Sequence, residues 1–219
     1  MTQHVIVKQI PVGSFQVMTY LVVCPQTRES VIIDPAGDEE ELFALIQSEE
    51  ARIKYILNTH AHADHTLGNA KLKHLLSAPV CMHETDDQFF SDRSIQEMSL
   101  KELGLPGPDS ADIRLKDKDV LKVGMLGVEV IHTPGHTPGS VCYLIQGHLF
   151  TGDTLFVGAA GRTDLIGGSL ETLIESLEKL IGLPKETVVW PGHDYGTSPS
   201  STIGREMEEN PYITDFILD

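Results

Sequence analysis

The sequence predicts a mixed α/β fold in which two β-layers meet face to face and helices cover the outside. Two observations carry this. β-branched-rich runs precede segments of helical periodicity, and the same succession returns in the second half of the chain. A strictly alternating βαβ pattern is absent. No low-complexity linker divides the chain, so residues 1–219 read as one domain. A chain of this length buries about two-thirds to three-quarters of its unfolded surface, enough for a layered core.

Residues 4–10 and 17–24 are extended runs, and after a polar turn at 26–30 the segment 31–33 is a third. Asp38 opens a helix that runs to Glu50, with Leu42, Leu45 and Ile46 at helical spacing. Residues 53–57 form the next strand and lead straight into Asn58-Thr59-His60. Residues 67–76 turn helical, with Leu72, Leu75 and Leu76 on one face, and 80–82 is short and extended. Residues 84–110 are polar, with short helices that end in the loop Gly104-Leu105-Pro106-Gly107-Pro108, the segment best suited to move. Then come strands at 120–123, 128–132, 141–145 and 149–151. Ser169 caps a helix whose apolar stripe is Leu170, Leu173, Ile174, Leu177 and Ile181. Residues 187–190 are the last strand, with Trp190 as a core residue, and 205–209 a polar helix.

Charge narrows the function. The 32 acidic residues outnumber the 16 basic ones, for a formal net charge of -16. Such a surface repels nucleic-acid phosphates and anionic headgroups, which bind through clustered Lys and Arg. Nucleic acid and membrane are therefore set aside as partners, and no apolar window is long enough for a spanning helix. The N-terminus carries no signal-peptide pattern. Cys24, Cys81 and Cys142 are scattered and odd in number, which fits buried thiols in a reducing cytoplasm.

The chemistry centres on Thr59-His60-Ala61-His62-Ala63-Asp64-His65. His60 and His62, two apart at a strand end, leave the same face. Asp64 and His65 follow where the chain turns into a helix, and Gly68 allows close backbone packing there. Imidazole and carboxylate together suit zinc, iron or manganese. His136 lies in Thr133-Pro134-Gly135-His136-Thr137-Pro138-Gly139, Asp153 in Thr151-Gly152-Asp153, and His193 in Trp190-Pro191-Gly192-His193. Each follows a glycine at or beyond a strand exit, where sheet-based enzymes gather functional groups. His83, His132 and His148 lack that setting and read as packing or surface groups.

Together HxHxDH, TPGHTPGS, GD and PGH resemble the metallo-β-lactamase superfamily over nearly the whole chain. The resemblance implies an αββα sandwich with the metals at one edge of the paired sheets. It implies that His60, His62 and His136 bind one metal, that Asp64, His65 and His193 bind a second, and that Asp153 bridges them. Asp64 and Asp153 are the expected catalytic carboxylates.

Many lactam-cleaving members carry Cys where Asp153 stands, the flavo-diiron branch carries Glu where His62 stands, and nuclease branches need an inserted domain. What remains resembles glyoxalase II and the persulfide dioxygenases, and the run Gly161-Arg162-Thr163-Asp164 resembles the latter and short bacterial glyoxalase II-like proteins. Soon after His193 the chain reaches Asp219, so the C-terminal helical glutathione-binding region of full-length glyoxalase II is expected to be missing.

The leading expectation is thioester hydrolysis by a hydroxide held between two divalent metals, zinc first and iron or manganese next. Arg162 would grip a substrate carboxylate, against a plain ion pair with Asp164, and Tyr195 would line the pocket. The competing expectation is a dioxygenase with one Fe(II) on His60, His136 and Asp153, acting on a small-molecule persulfide. A third, a metal-stabilised binding module, is disfavoured because a structural zinc needs only about four ligands.

Overall fold

The computed structural model describes residues 4–218. The elements, in chain order, are β1 (Ile6–Val12), β2 (Val17–Val23), β3 (Glu29–Ile33), α1 (Glu39–Ser48), β4 (Arg52–Leu57), α2 (Ala63–Thr66), α3 (Asn69–Leu76) and β5 (Val80–His83). They continue with α4 (Glu84–Phe90), α5 (Arg93–Leu103), β6 (Ile113–Leu115), β7 (Val120–Val123), β8 (Leu126–His132), β9 (Val141–Ile145) and β10 (His148–Gly152). Last come β11 (Leu155–Phe156), β12 (Ala159–Ala160), α6 (Leu170–Ile181), β13 (Val188–Pro191), β14 (Ser201–Thr202), α7 (Ile203–Glu209) and α8 (Pro211–Thr214).

One sheet runs β1-β2-β3-β4-β5-β6, antiparallel through β3 and parallel from β3 to β6. The other runs β14-β13-β10-β9-β8-β7, antiparallel except for the β10–β13 pair. Their inner faces share a core in which Val22, Val31, Ile33 and Leu57 meet Val128, Val130, Tyr143 and Phe150. Outside the first sheet, Leu42 and Ile46 of α1 and Leu72 of α3 cover Leu21, Val23 and Ile32. Outside the second, Leu173, Leu177 and Leu180 of α6 cover Cys142, Leu149 and Val189. The layers are therefore helix, sheet, sheet, helix, as the sequence predicts.

β2 shows why. All of Val17–Val23 is buried. Met18, Tyr20 and Val22 enter the central core, while Val17, Leu21 and Val23 enter the core under the helices. A pleated strand covered on both faces is apolar nearly throughout, because alternate side chains both leave water, and the one buried hydroxyl here, Thr19, donates to the Asp34 carbonyl.

The structure corrects several boundaries. β3 begins at Glu29, inside the predicted turn, because Ser30 pairs with Val23 and Ile53. The predicted helix over 67–76 begins two residues later, as α3 at Asn69, and a separate helical turn, α2, precedes it across Leu67 and Gly68. There the Gly68 N–H donates to the Pro35 carbonyl at 2.8 Å, and a Cβ would lie 2.6 Å from that oxygen. Leu170 is exposed and outside the α6 stripe, although Ser169 does cap the helix, its Oγ accepting from the Thr172 N–H. Asp38 sits at the α1 N-cap without capping it, and its carboxylate accepts from the Gly13 N–H instead. β6, β11, β12 and β14 are too short for a periodicity to reveal. Trp190 is half-buried, and its indole N–H donates to His148 Nδ1. The three cysteines are free and buried. No helix among the described residues is long and apolar enough to cross a membrane.

Candidate metal centre

The candidate ligands converge at the ends of β4, β8, β10 and β13. β4 stops at Leu57, and just beyond it the Thr59 N–H donates to the Asp34 carboxylate and not to a strand carbonyl. His60 and His62 thus lie on a loop three residues beyond the strand and not on the strand itself. Their rings still converge, with centroids 4.8 Å apart. Asp64 and His65 lie on α2. His136 sits in the β8–β9 turn, Asp153 directly after β10, and His193 just past β13.

Two donor groups form. His60, His62 and His136 offer one nitrogen each, and Asp64, His65 and His193 offer a carboxylate oxygen and two nitrogens; within each group the atoms lie within 4.8 Å of one another. Asp153 stands between them. Its Oδ1 is 3.4 Å from His65 Nε2, and its Oδ2 is 3.7 Å from His136 Nε2 and 3.6 Å from His193 Nε2. His60, His65 and Asp153 also form a group of their own.

The outer nitrogens are anchored. His136 Nδ1 meets the Arg162 carbonyl at 2.8 Å and His65 Nδ1 meets Asp34 Oδ2 at 3.0 Å. His60 Nδ1 lies 3.1 Å from Thr59 Oγ1, whose hydroxyl donates to Asp34. These contacts turn Nε2 inward and fix the rings, as outer contacts do in metal sites. His60 Nε2, His65 Nε2, His136 Nε2 and Asp153 Oδ1 are buried and have no hydrogen-bond partner. Buried polar atoms are rarely left so. Lone pairs of imidazole and carboxylate aimed at common points are the donor set that a divalent metal satisfies.

Electrostatics agrees. Burial, reinforced by neighbouring imidazoles, holds His60 and His62 well below the usual histidine range. Burial also brings His136 and His193 down to about 4, so these rings are neutral donors at pH 7. Burial pushes Asp153 up to about 7. His65 goes the other way: burial opposes its charge, but the carboxylates of Asp153, Asp64 and Asp34 outweigh it and raise the ring to about 10. The centre calls for positive charge, and a bound cation would displace the His65 proton.

Gly192 is a steric condition of the centre. A Cβ there would collide with Asp153 Oδ1 and approach His65 Cε1 to 3.0 Å. Gly192→Ala is expected to cost about 1–3 kcal/mol and to displace the shared carboxylate. Thermal melting together with metal content checks it; wild-type values for both would refute it.

The predicted substrate contacts are exposed. Arg162 donates from Nε and Nη2 to the two oxygens of Asp164 at 2.7 and 2.8 Å, the ion pair weighed against substrate binding. Tyr195 is 68% exposed and stacks on His193, centroids 4.9 Å apart. His83 and His132 stack on each other away from the centre.

Residues 12–193 match the family described as the metallo-beta-lactamase superfamily. The chain belongs to that superfamily. Among its relatives in the superfamily, the hydroxyacylglutathione hydrolase GloC of Haemophilus influenzae is 34% identical over 213 residues, 93% of this chain and 96% of the relative. The human mitochondrial persulfide dioxygenase ETHE1 is 35% identical over 200 residues, 90% of this chain and 71% of the relative. Two solved structures share the fold closely. BLEG-1, described as a B3 metallo-beta-lactamase, has a TM-score of 0.86 at 38% identity, covering 95% of this chain and 100% of that one. TTHA1623 in a di-iron-bound form has a TM-score of 0.78 at 33% identity, covering 94% and 99%.

Sequence reasoning missed two carboxylates. Asp34 accepts from the Thr59 N–H and hydroxyl as well as meeting His65. It follows the apolar run Ile32-Ile33 as Asp153 follows β10, so the strand-exit signal could have found it. Asp86, fully buried, accepts from Ala61, Thr137 and Gly139. It lies in the polar run Glu84-Thr85-Asp86-Asp87, which looks like a solvated face.

Proposed function

We propose that the chain is a metal-dependent hydrolase that cleaves thioesters of the hydroxyacylglutathione type. In this reading His60, His62 and His136 hold one divalent metal, Asp64, His65 and His193 hold a second, and Asp153 is shared. One observation carries it: the Asp153 carboxylate lies 3.4 Å from His65 and 3.7 Å from His136, within reach of both donor groups. Bound there, two metals, zinc first and iron or manganese next, would supply a Lewis acid and a water whose pKa falls towards ~7.

The chain's own residues do the holding. Thr59, Asp34 and the Arg162 carbonyl fix three rings with Nε2 inward, which spares reorganisation when substrate binds. No serine or cysteine nucleophile is required. Tyr195, stacked on His193, and Arg162, whose carbonyl meets His136, are exposed beside the centre. Arg162 would take a substrate carboxylate by exchanging it for Asp164. Arg162→Ala is then expected to raise KM more than it lowers kcat, and unchanged kinetics would sink that role.

A second reading, persulfide oxidation at one Fe(II) on His60, His136 and Asp153, is supported by the ETHE1 relative. It leaves the buried His65 Nε2 with no hydrogen bond, facing only the Asp153 and Asp64 carboxylates at 3.4 and 3.8 Å, whereas the two-metal reading makes it a ligand. The chain also covers 96% of the GloC relative against 71% of ETHE1. The test is metal content of anaerobically purified protein, with rates on a hydroxyacylglutathione thioester, a persulfide and a β-lactam. Close to two metals per chain with thioester turnover is expected. One iron with oxygen uptake on persulfide, or turnover of the lactam alone, would overturn the proposal.

A further inference from the structure

Asp86 has no place in the chemistry described so far, yet it is fully buried on α4. Oδ2 accepts from the Ala61 N–H and from the Thr137 hydroxyl, both at 2.8 Å, and Oδ1 accepts from the Gly139 N–H at 2.6 Å. Ala61 lies between His60 and His62, and Thr137 directly follows His136. One carboxylate therefore ties together the two loops that carry the first donor group.

The fit is close on every side. A Cβ on Gly139 would lie 2.7 Å from both Asp86 Cβ and Oδ1, so the β8–β9 loop rests directly on this side chain. Thr137 and Ser140 add a contact of 2.7 Å between their hydroxyls, which orients the Thr137 donor. Every contact to the carboxylate is a donor. An amide in its place would turn an NH2 towards one of them, leaving a buried donor unsatisfied.

The second donor group is held differently. His65 hangs on Asp34, and the segment of Gly192 and His193 is pinned by the Met18 N–H to the Gly192 carbonyl at 2.8 Å. We infer that Asp86 is a positioning residue that sets the separation and aim of His60, His62 and His136, and so selectively tunes the first of the two metal sites. The inference rests on the two-site reading proposed above.

The test is Co(II) binding to the full chain, by competition against a chelator, with the visible d–d absorption as a second readout. Wild type is expected to bind two equivalents. Asp86→Asn is expected to keep one at unchanged affinity and weaken the other about 10–100-fold, with an altered spectrum. Should Asp86→Asn fail to fold, Thr137→Val, which removes one donor, is expected to weaken the same equivalent to a smaller extent. Two equivalents with wild-type affinities and spectrum in the folded variant, even at a lower melting temperature, would reduce Asp86 to a structural residue and overturn the inference. Wild type that takes up no Co(II) would overturn the metal reading and this inference with it. Wild type with two equivalents and unaffected variants would overturn the inference alone.

Discussion

Asp153→Asn is expected to lower thioester hydrolysis by more than about 100-fold and to reduce bound metal from two ions per chain to one or none. Losing a group that merely orients a ligand costs about 10–100-fold in metal affinity or activity, so losing a carboxylate shared by both donor groups should cost more. Asn keeps the volume but replaces one anionic oxygen with an NH2. That group would face His65 Nε2 at 3.4 Å or His136 and His193 Nε2 at 3.7 and 3.6 Å. Folding should suffer little. Burial already pushes the Asp153 carboxyl up to about 7, so the folded chain accommodates a neutral group there near neutral pH. Metal analysis, steady-state rates and melting of the metal-free protein decide the matter. Full metal and activity in the variant would remove Asp153 from the centre. A collapse in melting temperature of the metal-free variant would instead favour scaffolding over catalysis.

The same residue marks how far sequence reasoning reaches. Asp153 and His193 were legible because each follows an apolar strand and a glycine, and such local signals survive without coordinates. The sandwich was legible because β2 and α6 have long patterns: seven apolar or buried positions in one, and Leu173, Leu177 and Leu180 in the other. Strands of two residues, such as β11 and β14, hold no period at all. The end of β4 at Leu57 was legible too, but what holds the His60 loop beyond it was not, because the Thr59 N–H and hydroxyl are taken by Asp34, 25 residues upstream of Thr59. Asp86 was illegible for a related reason. Its burial arises only when α4 packs beneath two loops that are distant in the chain, Ala61 and Gly139, so no neighbour in sequence betrays it.

Acidification of the metal-free protein should destabilise it steeply between about pH 6.5 and pH 4. His60, His62, His136 and His193 are all held below the ordinary histidine value, the last two at about 4. An unfolded chain takes up protons at these rings near pH 6.5. Over this window the unfolded state therefore binds more protons than the folded state, so stability falls as pH falls. Asp153 works in the opposite direction, because at about 7 in the fold it gains a proton before the unfolded carboxyl does. Asp86, pushed up to about 6 by burial, opposes in the same way, but the four rings together with His83, brought down to about 4 by burial, outnumber the two carboxyls. His65, raised to about 10, is protonated in both states below about pH 6 and adds no slope there. The urea midpoint of chelator-treated protein at pH 7, 6 and 5 checks the sign; a flat or rising midpoint on acidification would contradict it. Zinc should raise the midpoint most at pH 7, by mass action on the folded state. That gain should shrink towards pH 5, because protons and metal compete for the same nitrogens. Gly192→Ala distinguishes the two contributions. It would push on Asp153 and His65 and not on His60, His62 or His136, so it should diminish the zinc gain and retain the acid slope of the metal-free chain apart from the share of the adjoining His193.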